Sequence, residues 1–173
     1  MRIILIGGAS LCGKSTLAAR VGEACGAEIL STDRFGRHPG RPWPELRAHV
    51  AEYYERLSNA AIDAFLLDHH RNLLPRILAE IDAARSAGRD LVIEGSAVRP
   101  EFFEQPDADV VVSWLCVPES ELRARIERES AFATRDVGAR SRIERFADRA
   151  VRDGARLEAA LVGRSEVRLD GTD

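Results

Sequence analysis

Apolar residues fall along this chain in two rhythms. Short runs at Ile3 to Ile6 and Leu91 to Ile93 are closed by glycine or a polar residue, and a run at Val110 to Cys116, broken only by Ser113, ends before Pro118. Runs of that length predict strands buried on both faces, as in a parallel sheet. Glu28 to Leu30 and Glu166 to Leu169 predict a short second strand and a last one. Between the runs, apolar residues recur at helical spacing. A helix is expected from about Lys14 to Gly26 with Leu17, Val21 and Ala24 on its inner side. Leu46, Val50, Tyr53 or Tyr54, Leu57, Ala61 and Phe65, then Leu74, Ile77, Leu78 and Ile81, predict a helical pair over about residues 45–87, which Gly88 ends. Pro118-Glu119 opens a helix running to about Glu129, and a long helix carries Ile143, Phe146, Ala150, Leu157 and Leu161. The polar stretch from Ser130 to Ser141 separates those two and is expected to be a lid over about residues 130–141. Alternation of strand and helix over residues 1–173 predicts one α/β domain, a doubly wound parallel five-stranded sheet with helices on both faces.

The first strand runs into Gly8-Ala9-Ser10-Leu11-Cys12-Gly13-Lys14-Ser15, which fits G-x-x-x-x-G-K-[ST]. Strand, glycine loop and helix form the context in which that spacing means phosphate binding. Amides around Ser10 to Ser15 would make a nest at a helix start, where unpaired donors and the dipole both favour an anion. Ser15 would place its hydroxyl on Mg²⁺, and Thr16 would contact the α-phosphate. Lys14 is the only lysine among 25 basic residues. A compact ammonium on a flexible stem can fold over a loop to reach β- and γ-phosphates, whereas a planar guanidinium needs a wider approach.

Composition narrows the partners. A net charge of -3 and a pI near 5.9 argue against a general nucleic-acid binder, which would carry a basic excess on one face. Cys12, Cys25 and Cys116 are odd in number and lack C-x-x-C spacing, which favours reduced thiols and a cytoplasmic setting. The first apolar run is too short for a signal peptide, and none approaches membrane-spanning length. A monomer or a homodimer is expected.

Two acids follow strands. Asp33 lies just past the second strand, at the carboxyl edge where open α/β sheets bind ligands. It could take a proton from an acceptor hydroxyl or hold a water on Mg²⁺; the alternative is a cap or Asx-turn aspartate opening the arginine loop. Glu94 ends the third strand before Gly95-Ser96 and could support the metal or bond the neighbouring loop. If their strands flank the first strand, both acids face the γ-phosphate. Arg34, Arg37, His38 and Arg41 follow in a loop rich in proline and glycine, and suit an acceptor carrying phosphate or carboxylate. Arginines 123, 125, 128, 135, 140 and 142 surround the expected lid, from which one could reach a transferring phosphoryl group. His69-His70 lack a third metal ligand and are expected at the surface.

With these residues placed, the chain resembles the P-loop small-molecule and nucleotide kinases, a group with adenylate, shikimate, gluconate and 2-phosphoglycerate kinase-like AAA-family members. The resemblance implies an acceptor-binding or basic role for Asp33. It also implies adenine stacking by Arg125, a phosphate contact from Arg128 and, from the lid, a catalytic Arg135. Adenylate kinases carry Asp-Gly-Phe-Pro-Arg after the third strand, and shikimate kinases a triple glycine. Here Glu94-Gly95-Ser96 leads to Arg99, which makes Gly95, Ser96 and Arg99 candidate acceptor contacts and argues against both AMP and shikimate. The expectation is an enzyme using ATP and Mg²⁺ to phosphorylate a small hydroxyl-bearing metabolite, with the arginine loop suiting an anionic one. Two rivals remain open: an ATP-gated switch without an acceptor, and a nucleic-acid 5′-hydroxyl kinase. An N-K-x-D guanine-reading motif cannot exist in a chain with one lysine.

Overall fold

β1 (Ile3–Gly8) is the middle strand of a five-stranded sheet, all of whose pairings are parallel. The computed structural model describes residues 1–36, 40–164 and 167–172. In chain order the other elements are α1 (Lys14–Cys25), β2 (Glu28–Ser31), α2 (Ala48–Arg56), α3 (Asn59–Ala87), β3 (Leu91–Glu94), β4 (Val110–Cys116), α4 (Glu119–Ser130), α5 (Val137–Ala160) and β5 (Arg168–Asp170). The strand order is β2-β3-β1-β4-β5. β1 is therefore flanked by β3 and β4, and only Glu94 of the two acids follows a flanking strand; Asp33 follows the outer strand β2. The last strand ends one residue beyond the expected span, whose first residue, Glu166, falls outside the described residues.

Period-two alternation assigns the two faces. Ile3, Leu5, Leu91, Ile93, Val112 and Trp114 point to one side and pack with Leu73, Ile77 and Ile81 of α3 and Leu157 of α5. Ile6, Val92 and Leu115 point to the other and meet Ala18 of α1. A third cluster, Trp43, Tyr53, Tyr54, Ile62, Leu122, Ile126, Ile143 and Phe146, joins α2 and the start of α3 to α4 and α5 above the sheet edge.

The expected helical pair is α2 and α3, with Gly88 in the left-handed region at φ 62 as its stop. α1 departs from its expected stripe. Lys14, Ala18 and Gly22 face inward while Ala24 is exposed, because Gly22 lets the helix close on β2: a Cβ there would stand 2.5 Å from Ile29. The expected lid is also different. Asp136 caps α5 by accepting from Ala139 N at 2.8 Å, so the polar stretch holds one 3-10 turn (Phe132–Thr134) and the first turn of α5.

Gly95 sits at φ 152 behind the ends of β2 and β3, and a Cβ added there would lie 1.8 Å from Thr32 Oγ1. Thr32 is itself buried, so it has little room to yield. Gly95→Ala is expected to lower unfolding free energy by about 3 kcal/mol, read as a shifted urea midpoint. An unshifted midpoint would show that the turn relaxes.

α3 and α5 are clasped by Asp63, which accepts from Arg152 Nε at 2.9 Å and Nη2 at 3.0 Å, and from Arg156 at 2.8 Å. Burial pushes the Asp63 carboxyl up, but the two guanidinium groups outweigh it and hold the carboxyl below its ordinary value. A depressed folded pKa gives stability that is present above the unfolded value and lost as pH falls through the folded one. Asp63→Asn is expected to cost about 1–3 kcal/mol at neutral pH. Chemical denaturation at several pH values should also show a shallower loss between about pH 4 and pH 2 than in the unaltered protein.

Candidate functional site

The sheet is parallel and ordered 2-3-1-4-5, and a glycine-rich loop of the P-loop pattern joins its middle strand to the first helix. The loop carries unusual backbone at three positions: Gly8 at φ 142, Gly13 at φ 104 and, without being glycine, Leu11 at φ 66. A Cβ at Gly8 would stand 2.5 Å from Cys12 Sγ and 2.8 Å from the Leu115 carbonyl, so the turn needs glycine there. Leu11 holds a left-handed backbone that a residue other than glycine rarely adopts. Lys14 opens α1 and is 8% exposed, with its Nζ donating to the Ala9 carbonyl at 2.6 Å. The ammonium has folded back over its own loop, and no carboxylate pairs with it among the described residues.

An open cavity of about 940 Å³ spreads from this loop across the carboxyl edge of the sheet. Ser10, Leu11, Gly13, Lys14, Ser15 and Thr16 form its floor, while Cys12 is buried beneath. Asp33, on a 3-10 turn after β2, and Glu94, at the end of β3 and 6% exposed, share one wall with Gly95 and Ser96. The two acids thus meet in one cavity although their strands do not both flank β1. Among the described residues there is no cluster of three or more His, Cys, Asp and Glu able to cage a metal. Ser15, Asp33 and Glu94 nonetheless fit Mg²⁺, which takes one or two carboxylates and fills its remaining positions with water and substrate phosphates.

Arginines divide sharply. Arg125 lines the cavity beside Gly13, held by Nε to Glu121 at 2.7 Å and by Nη2 to the Gly171 carbonyl at 2.7 Å. Arg128 lies one turn on, exposed on the same wall. Arg41 also lines it and pairs with Glu129 across the opening. Burial pulls the Arg41 guanidinium below its ordinary value, and Asp33 pushes it the other way. Arg34 is exposed outside the cavity wall, and Arg37 and His38 lie outside the described residues.

Two expected contacts are corrected by their positions. Arg99 is 2% exposed and bound to Asp153 at 2.7 Å on the far side of the α3–α5 contact, where it serves the core and not the cavity. Arg135 donates from Nε to the Ser130 carbonyl at 2.7 Å, which ties it to the end of α4 and off the cavity wall. The sequence reading also missed two side chains. His70 is 1% exposed instead of lying at the surface, and its Nε2 stands 3.1 Å from Ser96 Oγ on the cavity wall. Arg149 of α5 is 2% exposed and donates to Ser10 Oγ at 2.9 Å from beneath the phosphate loop. Both fall on buried helix faces: His70 between Leu66 and Leu73 on α3, and Arg149 beside Phe146 and Ala150 on α5.

No protein-family model matches the chain. In sequence it is similar to a tRNA dimethylallyltransferase of Geobacter sulfurreducens, 28% identical over 100 residues. That stretch is 54% of this chain and 31% of the transferase, so under a third of that enzyme is matched. In structure it is similar to a gluconokinase from Sinorhizobium meliloti 1021, with a TM-score of 0.42 and 16% identity over 95% of this chain and 97% of that one. It is also similar to a protein from Eubacterium ventriosum ATCC 27560, with a TM-score of 0.45 and 11% identity over 99% of this chain and 90% of that one. Among the described residues no helix is long and apolar enough to cross a membrane.

Proposed function

We propose that the protein is an ATP-dependent phosphotransferase acting on a small hydroxyl-bearing metabolite, favouring an anionic one. The observation that carries this reading is the meeting of Lys14, Asp33 and Glu94 on one open cavity, which leaves an acceptor room beside a triphosphate. A phosphate loop with no space beside it would suit a switch. Here the space is walled by a carboxylate, a hydroxyl and a guanidinium from three different segments.

In the proposed reaction the loop amides and Lys14 hold the β- and γ-phosphates. Asp33 takes the proton as the acceptor oxygen bonds to the γ-phosphorus, and the bond from that phosphorus to the β-bridging oxygen breaks to release ADP. Ser15 with Asp33 or Glu94 would hold Mg²⁺, which when bound neutralises phosphate charge. Arg125 flanks the base and Arg128 the phosphates, while Arg41 and Ser96 face the acceptor. Arg135 is replaced in this scheme by Arg128 and Arg41, the guanidinium groups on the cavity wall.

The sequence match supports one alternative, transfer of a dimethylallyl group with diphosphate as leaving group, since the same loop suits a diphosphate. A single assay format separates the readings. The protein is incubated with Mg²⁺-ATP and fractionated metabolite pools, and separately with dimethylallyl diphosphate and tRNA. A phosphorylated metabolite formed with stoichiometric ADP is the expected result. Prenylated tRNA without ADP would establish the alternative, and slow ATP hydrolysis that no metabolite accelerates would mean a switch.

A further inference from the structure

The phosphate loop rests on a buried cation that no carboxylate in the described structure neutralises. Arg149 is 2% exposed, its Nη2 donates to Ser10 Oγ at 2.9 Å, and its guanidinium lies 4.6 Å from the centre of the Phe146 ring. Its Nε is buried without a hydrogen-bond partner. Around it stand Tyr53 and Tyr54, whose hydroxyls burial pushes well above the ordinary tyrosine value while Arg149 pulls them down, so they stay neutral. The other fully buried arginine, Arg99, shows what the fold does where a charge is only structural: it is paired with Asp153 at 2.7 Å and with Glu101 at 3.2 Å.

Removing a guanidinium from water without pairing it is expensive, and a hydrophobic side chain of similar length would serve packing as well or better. Arg149 is retained on the buried face of α5, beside Phe146 and Ala150. The one hydrogen bond it makes among the described residues is to the hydroxyl of a loop whose other face opens on the cavity. An anion seated on that loop would meet positive charge from two directions, the Lys14 ammonium on its own side and the Arg149 guanidinium beneath.

We propose that Arg149 is a positioning residue for the phosphate loop, acting through Ser10: it orients the Ser10 hydroxyl and supplies a fixed positive charge that becomes compensated when a polyphosphate binds. It does not reach the ligand itself, because Ser10 and Phe146 stand between it and the cavity. The inference rests on the phosphate-binding reading of the loop and adds a residue on a distant helix to it. It also links the loop to the aromatic cluster through Phe146, whose ring meets that of Trp43 at 4.8 Å on the cavity wall.

The test is calorimetric titration of the full chain with Mg²⁺-ATP, Mg²⁺-ADP and adenosine, alongside thermal unfolding of the free protein. Arg149→Met is expected to weaken ATP and ADP on the order of tenfold to a hundredfold and adenosine hardly at all, since the charge sits under the phosphates. The free variant should melt at or above the temperature of the unaltered protein, a result that a structural arginine would not give. Arg149→Lys keeps the charge but cannot span Ser10 and Phe146 together, and is expected to lose roughly threefold to tenfold. Ser10→Ala in the Arg149→Met background should add no further loss, because the two act as a unit. Unchanged ATP affinity in Arg149→Lys or in Arg149→Met, or a loss that is equal for adenosine, overturns the proposal. If the unaltered protein binds neither nucleotide, the phosphate-loop reading falls and this one with it, an outcome distinct from loss of the Arg149 effect alone.

Discussion

Lys14→Met is expected to reduce phosphoryl transfer by a factor on the order of 10³ or more, with the fold intact. The ammonium already lies over the loop, bonded to the Ala9 carbonyl at 2.6 Å and 8% exposed. Little reorganisation separates that position from one over a β- or γ-phosphate oxygen. In the free protein this buried charge has no carboxylate partner among the described residues, so exchange of a weak carbonyl contact for phosphate oxygens is strongly favourable. Methionine keeps the length and apolar stem, and removing an unpaired buried charge leaves stability level or raised. Lys14→Arg is expected to fail almost as fully, since a planar fork cannot follow the same bend. Single-turnover phosphoryl transfer and thermal unfolding measured on the same samples would check both variants. Turnover retained in a folded Lys14→Met protein would remove the loop from the reaction.

The strand, glycine loop and helix start were legible in the sequence because they are contiguous within residues 3–25, and spacing alone relates them. The rest of the cavity wall is assembled from segments far apart in sequence, and there local pattern misled in identifiable ways. A polar run between α4 and α5 has the composition of a mobile lid, yet its polarity reflects an Asp136 cap and a solvent-facing first turn. Strand order could not be read from β2, a half-exposed edge strand whose residues pair only with β3. His70 was expected at the surface and Arg149 was passed over, although both are buried; burial of a polar group is dictated by its helical face and by what it meets across the interface. Arg99 was placed by proximity to Glu94 in sequence, but the chain has turned through Ala97 and Val98 into the core before reaching it. Among so many arginines, which one meets a phosphate is decided by tertiary neighbours.

Asp33 and Glu94 share a wall but not an environment, and exchanging each for its amide should separate their roles. Asp33 is exposed on a turn whose closing hydrogen bond, Phe35 N to the Thr32 carbonyl at 3.0 Å, does not involve its carboxylate. Asp33→Asn is therefore expected to leave stability and Mg²⁺-ATP affinity near those of the unaltered protein. It should lower kcat by about 10²–10⁴, the range for loss of a general base. Glu94 is 6% exposed at the tip of β3, next to Gly95, whose amide bonds back to the Ile6 carbonyl of β1 at 3.0 Å. A buried carboxylate on a strand end near the loop suits support of a cation better than proton transfer, which needs approach to the acceptor. Glu94→Gln should consequently raise the Mg²⁺ concentration needed for half-maximal rate and weaken Mg²⁺-ATP, while saturating Mg²⁺ restores part of kcat. Rates measured across a magnesium titration for both variants distinguish the assignments. Rescue of Asp33→Asn by magnesium, with Glu94→Gln inert at every concentration, would reverse them and make the buried acid the base. In that case the acceptor would have to lie deeper, against Ser96 and His70, and the arginine loop would serve the nucleotide instead.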